Sequence, residues 1–345
     1  MTKSEWRVAS TAAGPVEQSV DELIESLTGQ TYENYVSSAS RLYQQILEPV
    51  DDVLVDKDLI IVPHGVLYNV PFETLLFEDV DVPVDSTALS YSTLPYLVRR
   101  HAVSYTYSAT LRDILGRRKS SPVDRQFLGI APIEYTSTTK PDRPFPGPIA
   151  TLEGAGTEVK SILNLFSPPY RPILRRLSKR STVSLGRRAS EQAIVEMELN
   201  RYRYIHFATH GLVNDSIPEL SGLMMHPSSE EADDILHLGE IYGMDLNADL
   251  VVLSACETGK GKFVTGSGVV GLTGGFLYAG ARNVVVSLWQ VDDFSAATLM
   301  KPFYIRFLRQ ADYRQALRFA KLEMIASEGR HSRPYFWAPF ILFDS

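Results

Sequence analysis

A histidine and the only cysteine of the chain lie in two short polar motifs that each follow an apolar run. His210 comes after Tyr204-Ile-His-Phe-Ala208, and Cys256 comes after Leu250-Val-Val-Leu-Ser254. A thiol becomes a strong nucleophile when it loses its proton, and an imidazole that titrates near neutral pH is a suitable base for it. The two side chains therefore predict nucleophilic catalysis through a thioester, provided that the fold brings them together.

The elements around these motifs are expected to place them at one edge of a sheet. Short runs rich in Val, Ile and Leu alternate with helical patterns, including one that Asp312 is suited to cap and one that Gly280 is suited to end. This alternation is typical of a mainly parallel sheet flanked by helices, whose sites form beyond the carboxyl ends of the strands. If the strands 204–208 and 250–254 are neighbours, His210 and Cys256 project into one crevice.

Longer stretches around both motifs resemble a known protein family. The resemblance is carried by His206-Phe-Ala-Thr-His-Gly211, Leu253-Ser-Ala-Cys-Glu-Thr-Gly259, Ile61-Val-Pro-His-Gly65, Pro71-Phe-Glu-Thr-Leu75 and Tyr335-Phe-Trp-Ala-Pro-Phe340. From about residue 40 to the end, the sequence is similar to the CHAT family, whose caspase-like domains are relatives of separase and are often fused to tetratricopeptide repeats. The spacing agrees, because His210 lies 46 residues before Cys256, and caspases have their histidine about 50 residues before the cysteine.

The resemblance implies a caspase-like α/β fold with an N-terminal pseudo-protease lobe. It also implies that His210 is the catalytic histidine, that Cys256 is the nucleophile, and that the backbone amides of Gly211 and Cys256 form the oxyanion hole. The organisation that we expect has four parts. They are an N-terminal extension at 1–40 that is helical or partly disordered, a pseudo-caspase lobe at 41–131, a proline-rich connector at 132–156, and a catalytic lobe at 157–345.

Two acidic residues that follow a later strand are candidates for substrate binding. Asp292 and Asp293 come after Ser287-Leu-Trp-Gln-Val291, and separases have acidic residues after a similar strand that help to hold a basic P1 side chain. By this similarity we expect a substrate with Arg or Lys at P1, with Asp293 the stronger candidate. The alternative is that the two residues only cap the helix that follows, with an apolar residue at P1.

Two other patterns suggest sites of different kinds, and we expect neither to form. His206 and His210 have the spacing of a metal-binding pair on a helix, but their segment has the pattern of a strand, and the glutamate of zinc peptidases is missing between them. Gly266-Ser-Gly-Val-Val-Gly271 matches the dinucleotide fingerprint, but it does not directly follow a strand. We therefore expect no metal and no cofactor, and His206 is expected to pack within the sheet.

Composition narrows the class of protein further. The formal net charge is −7, from 34 Lys and Arg against 41 Asp and Glu, which predicts no direct binding of nucleic acid. A single cysteine forms no intramolecular disulfide, and no apolar run has the roughly 20 residues that a membrane span needs. We expect a cytoplasmic protein without a membrane partner.

The function predicted from these observations is that of a cysteine endopeptidase with a specific protein or peptide substrate. Family-level analogy suggests a bacterial immune or cell-death pathway, with a gasdermin-like protein as one candidate substrate and an upstream sensor or repeat-containing protein as activator. The alternative is a non-catalytic interaction module that keeps the caspase-like fold. A module of that kind has no need for both His210 and Cys256.

Overall fold

The structure is a computed structural model that describes nine stretches of the chain. For Glu153, 255–257 and 266–270 it describes the backbone alone. The described stretches are residues 7–81, 90–118, 122–135, 151–166, 181–214, 217–228, 233–257, 266–327 and 329–344.

One mainly parallel sheet forms the centre of the molecule, in the strand order β1-β2-β10-β9-β8-β5-β3-β4. Neighbouring strands along this path are parallel except for β10 and β9, and β6 and β7 extend the end of β5 as antiparallel strands. The predicted α/β class with a mainly parallel sheet is therefore confirmed. The strands are β1 (Leu59–Ile61), β2 (Val103–Tyr105), β3 (Arg125–Ala131), β4 (Ser181–Leu185), β5 (Tyr202–Leu212), β6 (Gly222–Met224), β7 (Ile235–His237), β8 (Leu250–Glu257), β9 (Val284–Ser287) and β10 (Phe340–Phe343).

Helices cover both faces of this sheet. Their ends follow local rules, since Asp312 accepts a hydrogen bond from the Gln315 amide at 3.0 Å and so caps a helix as predicted. Gly280 follows the end of another, with φ at +120° and no room for a Cβ beside the Leu246 carbonyl. The helices are α1 (Ala13–Gly29), α2 (Tyr32–Ile46), α3 (Leu97–Arg100), α4 (Ala109–Gly116), α5 (Glu153–Phe166), α6 (Glu191–Val195), α7 (Leu238–Tyr242), α8 (Gly266–Ala279), α9 (Asp293–Gln310), α10 (Tyr313–Ala326) and α11 (Pro334–Trp337).

The central strand β5 is buried on both faces, which explains its nearly continuous apolar sequence. On one face, the Phe207 ring packs against Phe276 of α8, with ring centroids 5.5 Å apart. On the other face, His206 contacts Tyr304 of α9, and Ala208 packs against Ala155 of α5. Consecutive side chains of a strand point to opposite faces, so the even-numbered residues of β5 face α5 and α9.

The N-terminal strands β1 and β2 belong to the same sheet as the later strands. β2 pairs in parallel with both β1 and β10, and the Tyr35 hydroxyl of α2 donates to the Thr74 carbonyl at 2.5 Å. The C-terminal helix α10 contacts the same N-terminal region. Its Lys321 forms a buried ion pair with Glu73, with Nζ 2.5 Å from Oε1. From Ala13 on, the predicted extension is mostly helical, in α1 and the first part of α2. The division into lobes and connector stays a prediction. Among the helices that the structure describes, none has the length and apolar character that crossing a bilayer requires.

Candidate active site

The two predicted catalytic residues lie opposite each other on neighbouring strands. β5 and β8 are parallel, and their register pairs His210 with Cys256 and Gly211 with Glu257. Both strands continue past the predicted ends at Ala208 and Ser254, to Leu212 and Glu257. The reason is that the two ends pair with each other, and β6 also pairs antiparallel with the end of β5. The backbone groups there thus have partners that the apolar pattern did not indicate.

The His210 side chain is 1% exposed and lies against an aromatic neighbour. Its ring centroid is 4.9 Å from that of Tyr135. The Thr209 hydroxyl donates to the Met224 carbonyl, so the Tyr135 hydroxyl donates to Thr209, with the two oxygens 3.0 Å apart. Burial raises the pKa of Tyr135 above its ordinary value, so the phenol stays protonated near neutral pH. Sequence reasoning missed Tyr135, because a tyrosine after a strand carries no distinctive signal.

A narrow cavity beside His210 contains two carboxyl groups. It lies between α5, the end of β5 and the segment that leads into α9. Glu158 of α5 and Asp293 of α9 are its acidic residues. The other lining residues are Leu152, Ala155, Ala208, Thr209, His210, Ser254, Gln290, Val291 and Ala296.

Asp293 lies at the wall of this cavity and contacts the start of α5. Its Oδ2 accepts a hydrogen bond from the Gly154 amide at 2.9 Å. Burial raises the pKa of Asp293, and the neighbouring Glu158 carboxylate raises it further, although the Gly154 amide and His210 act in the opposite direction. The structure therefore brings Asp293 to the cavity beside the predicted catalytic histidine.

Asp292 has a different role, as the N-cap of α9. Its carboxylate accepts hydrogen bonds from the Ser295 amide at 3.1 Å and the Ser295 hydroxyl at 2.9 Å, and it pairs with Arg330 at 3.0 Å. Burial acts to raise its pKa, but these hydrogen bonds and Arg330 hold the pKa of Asp292 below the ordinary value. The alternative in which Asp293 caps the helix is wrong, because the cap is the residue before it.

His206 is fully buried and contacts protein groups on both sides of its ring. Nδ1 is 3.1 Å from the Tyr304 hydroxyl, and Nε2 is 3.0 Å from Oε1 of Glu158. The residue packs within the sheet, as its sequence context predicted. Glu158 was missed, although it lies between Ala155 and Ile162 on the apolar face of α5, where a lone acid is a recognisable signal.

The glycines of the dinucleotide fingerprint lie within a helix. Gly266 is the first residue of α8, and residues 258–265, which lie outside the described residues, separate it from the end of β8 in the sequence. A dinucleotide site needs these glycines in the turn directly between strand and helix. The fingerprint is therefore a coincidental match.

Comparisons with known proteins agree with the motifs. Human tetratricopeptide repeat protein 28 is 26% identical over 334 residues, which are 88% of this chain and 13% of that protein. The mouse protein of the same name is 24% identical over 362 residues, with the same shares. This chain therefore spans about an eighth of the length of these relatives.

Two crystal structures of the Saccharomyces cerevisiae separase–securin complex are also similar. Their sequence identities are 12% and 11%, they cover 74% of this chain and 14% of the matched chain, and the TM-scores are 0.44 and 0.41. The family model of the CHAT domain matches residues 36–345, most of the chain, and confirms the resemblance that the motifs predicted. The chain belongs to the CHAT domain family.

Proposed function

We propose that this CHAT domain is a cysteine endopeptidase in which Cys256 and His210 form the catalytic dyad. The observation that carries the proposal is the register of β5 and β8, which pairs the two residues across neighbouring parallel strands. Neighbouring strands lie about 4.8 Å apart, a separation that an imidazole and a thiol can bridge. An imidazole within reach of a cysteine can take the thiol proton, and this pairing is the one that nucleophilic thiol chemistry uses.

The proposed reaction proceeds in two steps. The Cys256 sulfur attacks the scissile carbonyl carbon, a C–S bond forms, and the C–N bond breaks as His210 transfers the thiol proton to the departing amine. His210 then takes a proton from water as the water oxygen bonds to the thioester carbon. The C–S bond breaks, His210 passes its proton to the Cys256 sulfur, and the product acid leaves and ionises to a carboxylate. In the tetrahedral intermediates, the amides of Gly211 and Cys256 donate to the oxyanion.

A basic P1 residue is the substrate preference that we propose. What supports this preference is that Asp293 lines the cavity beside His210, where it supplies a carboxylate close to the proposed dyad. A partly desolvated carboxylate favours Arg or Lys over neutral side chains. Asp292, our second candidate, already binds Ser295 and Arg330, so the proposed preference depends on Asp293 and not on Asp292.

The biological setting is a separate part of the proposal. We propose a cytoplasmic peptidase of a bacterial immune or cell-death pathway, which cuts a specific protein such as a gasdermin-like one under the control of a sensor or repeat-containing protein. What supports an activator of this kind is that the curated relatives are named as tetratricopeptide repeat proteins, with the matching region only 13% of their length. These relatives are named for their repeats and not for an enzymatic activity. A non-catalytic interaction module is therefore the second candidate function.

A cleavage profile separates the peptidase from the interaction module. The purified protein is incubated with a proteome-derived peptide library, beside Cys256→Ala and His210→Ala variants that melt at the same temperature. A peptidase cuts at defined sites that both variants leave intact. Identical cleavage by the Cys256→Ala protein would remove Cys256 from the mechanism, and an intact library after incubation with the wild-type protein would favour the interaction module.

A further inference from the structure

A polar pocket separate from the candidate active site lies between the N-terminal helices and the C-terminal part of the chain. Its described walls are Gln30 and Tyr32 at the turn from α1 to α2, residues 90–92, and residues from 326 to 333 at and after the end of α10. Its volume is about 690 Å³, which lies in the range of pockets that hold small molecules. We call it the arginine pocket, and the proposed peptidase mechanism uses none of its described residues.

Two arginines give this pocket its positive charge. Arg330 is held in place, because it pairs with Asp292 at 3.0 Å and its guanidinium lies 5.2 Å from the Phe336 ring centroid. Arg333 is exposed, and its described partner is the neutral amide of Gln30, whose oxygen accepts a hydrogen bond from Nη1 at 3.3 Å. None of the described residues that line the pocket is acidic. The described part of the arginine pocket is thus positively charged, although the whole chain has a net charge of −7.

Hydroxyl groups add further hydrogen-bond donors. The Ser90 and Ser92 hydroxyl oxygens are 2.9 Å apart, so one hydroxyl donates to the other, and the second keeps its proton for another acceptor. Burial raises the pKa of Tyr32, although a hydrogen bond from the Ser90 amide opposes the change. The phenol therefore stays protonated near neutral pH and can donate. Because guanidinium groups are donors only, the pocket suits a ligand with several acceptor oxygens.

A phosphate ester is the anion that fits these groups best. It carries a charge of about −1.5 to −2 at pH 7 and has three strong acceptor oxygens, and arginine binds phosphate through paired, charge-assisted hydrogen bonds. The Tyr32 and Tyr91 rings pack edge to face with their centroids 4.9 Å apart, and both residues line the pocket. Aromatic side chains provide apolar surface against which the organic part of a ligand can pack.

We propose that the arginine pocket binds a small phosphorylated molecule. Arg330 and Arg333 bind the phosphate, while Tyr32 and Tyr91 contact the organic group. Asp292 competes with the ligand for Arg330. The pair of Arg330 and Asp292 is exposed on both sides, with 52% and 41% of the two side chains accessible, and exposed pairs of this kind contribute little to stability. The more highly charged phosphate therefore displaces Asp292 at small cost.

The inference is tested by isothermal titration calorimetry on the full chain, with phenyl phosphate as the probe and phenol as the control that lacks the phosphate. All titrations use the same ionic strength, because salt screens charge pairs. We expect saturable binding of phenyl phosphate and no binding of phenol. Failure of phenyl phosphate to bind, or equal binding of phenol, would overturn the inference. The measurement needs no turnover, so its result is independent of the peptidase proposal.

The contribution of Arg333 is tested by Arg333→Gln, with Arg117→Gln as the matched control. Both arginines are exposed, and Arg117 pairs with Asp113 outside the pocket. Arg333→Gln should weaken the binding of phenyl phosphate about tenfold or more, which corresponds to one charge-assisted pair, and Arg117→Gln should leave it within about twofold. Unchanged affinity in Arg333→Gln would overturn the inference. Equal weakening in the two variants would also overturn it, since binding would then depend on net charge alone.

The contribution of Arg330 is tested through its partner, with a variant that removes the charge of Asp292 and keeps the helix cap. Asparagine caps helices about as well as aspartate does, so Asp292→Asn should preserve α9 while it releases Arg330. We expect the affinity for phenyl phosphate to rise about threefold or more. Asp113→Asn removes the same charge elsewhere and should leave the affinity within about twofold. An affinity in Asp292→Asn that is unchanged or lower would contradict the competition for Arg330 and overturn the inference.

Discussion

The same His-Gly dipeptide occurs shortly after β1 and near the end of β5, and only the second has the surroundings that catalysis needs. His64 and Gly65 follow β1, while His210 and Gly211 lie at the end of β5. His64 is exposed at an edge strand that has one neighbour, whereas His210 is 1% exposed on a central strand between β3 and β8. The local sequence is alike, and the neighbours are not.

Strand direction explains the difference. β1, β2 and β10 are parallel to one another, but β10 is antiparallel to β9, which is parallel to β8 and β5. His64 and His210 consequently lie at opposite edges of the sheet. The residues near the edge that carries His64 stabilise the fold. Tyr105 at the end of β2 donates to Glu73 at 2.6 Å, and Glu73 forms an ion pair with Lys321. A histidine becomes a catalytic candidate through the strand beside it, and a His-Gly motif alone does not identify one.

The largest expected effect is a difference in peptidase activity between variants of His210 and variants of His64. His210→Ala and Cys256→Ala should each lower kcat/KM on the best peptide by about a thousandfold or more, because general base and nucleophile act as a unit. The double variant should lose little more than either single one. His64→Ala should stay within about twofold of the wild type. A loss of activity in His64→Ala as large as that in His210→Ala would break the comparison.

The next effect concerns the buried ion pair near the edge that carries His64. Lys321→Ala leaves the Glu73 carboxylate buried without its partner, and we expect the free energy of unfolding in urea to fall by about 3–5 kcal/mol. Burial lowers the pKa of Lys321, and Glu73 opposes that change, so the pair is desolvated on both sides. The exposed pair of Arg117 and Asp113 is the control, where Arg117→Ala should cost less than about 1 kcal/mol.

The rate of Cys256 alkylation shows whether the ion pair affects stability alone. The folded fraction of Lys321→Ala should retain the wild-type rate of Cys256 alkylation, because the pair lies away from the carboxyl end of β5. A folded Lys321→Ala protein with a strongly reduced rate would show that the two edges of the sheet are coupled.

A smaller effect is expected at His206, which shares its strand with His210 but contacts Tyr304 and Glu158. His206→Ala removes the buried hydrogen bond to Tyr304 and should reduce the free energy of unfolding by about 1–3 kcal/mol. The chemical step should change less than the stability does. Complete loss of cleavage in a His206→Ala protein with unchanged melting would mean that the two histidines of β5 have been assigned the wrong roles.

The smallest expected effect is a pH dependence of stability that arises at Glu191. Burial, together with the neighbouring Glu240 carboxylate, raises the pKa of Glu191 to about 7. The folded state thus binds this proton more tightly than the unfolded state, and the associated stability is lost as pH rises through 7. Glu191→Gln should flatten the decline of Tm between pH 5 and pH 8. An unchanged decline would exclude Glu191 as its source.

The sequence was sufficient to predict which strands carry the candidate dyad and at which edge of the sheet they meet. Val251 and Val252 are fully buried on both sides of β8, and a continuous apolar run of this kind is a reliable signal of a central strand. The capping alternative placed the N-cap of α9 at Asp293, one residue after the observed cap, Asp292. The two aspartates have equal capping propensity, and only the backbone geometry distinguishes them.

Two features were beyond sequence reasoning for physical reasons. Hydrophobic periodicity contains no information on strand direction, so the reversal between β10 and β9 could not be predicted. Tyr135 reaches the site through tertiary contacts after the end of β3, and nothing in its local sequence indicates these contacts. For Glu158, the apolar face of α5 signals a buried acid, but not that its neighbour is His206 of β5. The site residues that were missed are therefore those whose role is set by elements far away in the chain.

The most direct test of the dyad uses the fact that Cys256 is the only cysteine in the chain. Intact mass spectrometry then reports alkylation by iodoacetamide at one known sulfur. At pH 6 an ordinary thiol is almost fully protonated, whereas a thiol paired with an imidazolium is partly ionised, and the rate should be about tenfold higher after allowance for its lower nucleophilicity. We predict that His210→Ala removes this acceleration and that His64→Ala retains it. Equal alkylation rates in the wild type, His210→Ala and His64→Ala would contradict the pairing of Cys256 with His210.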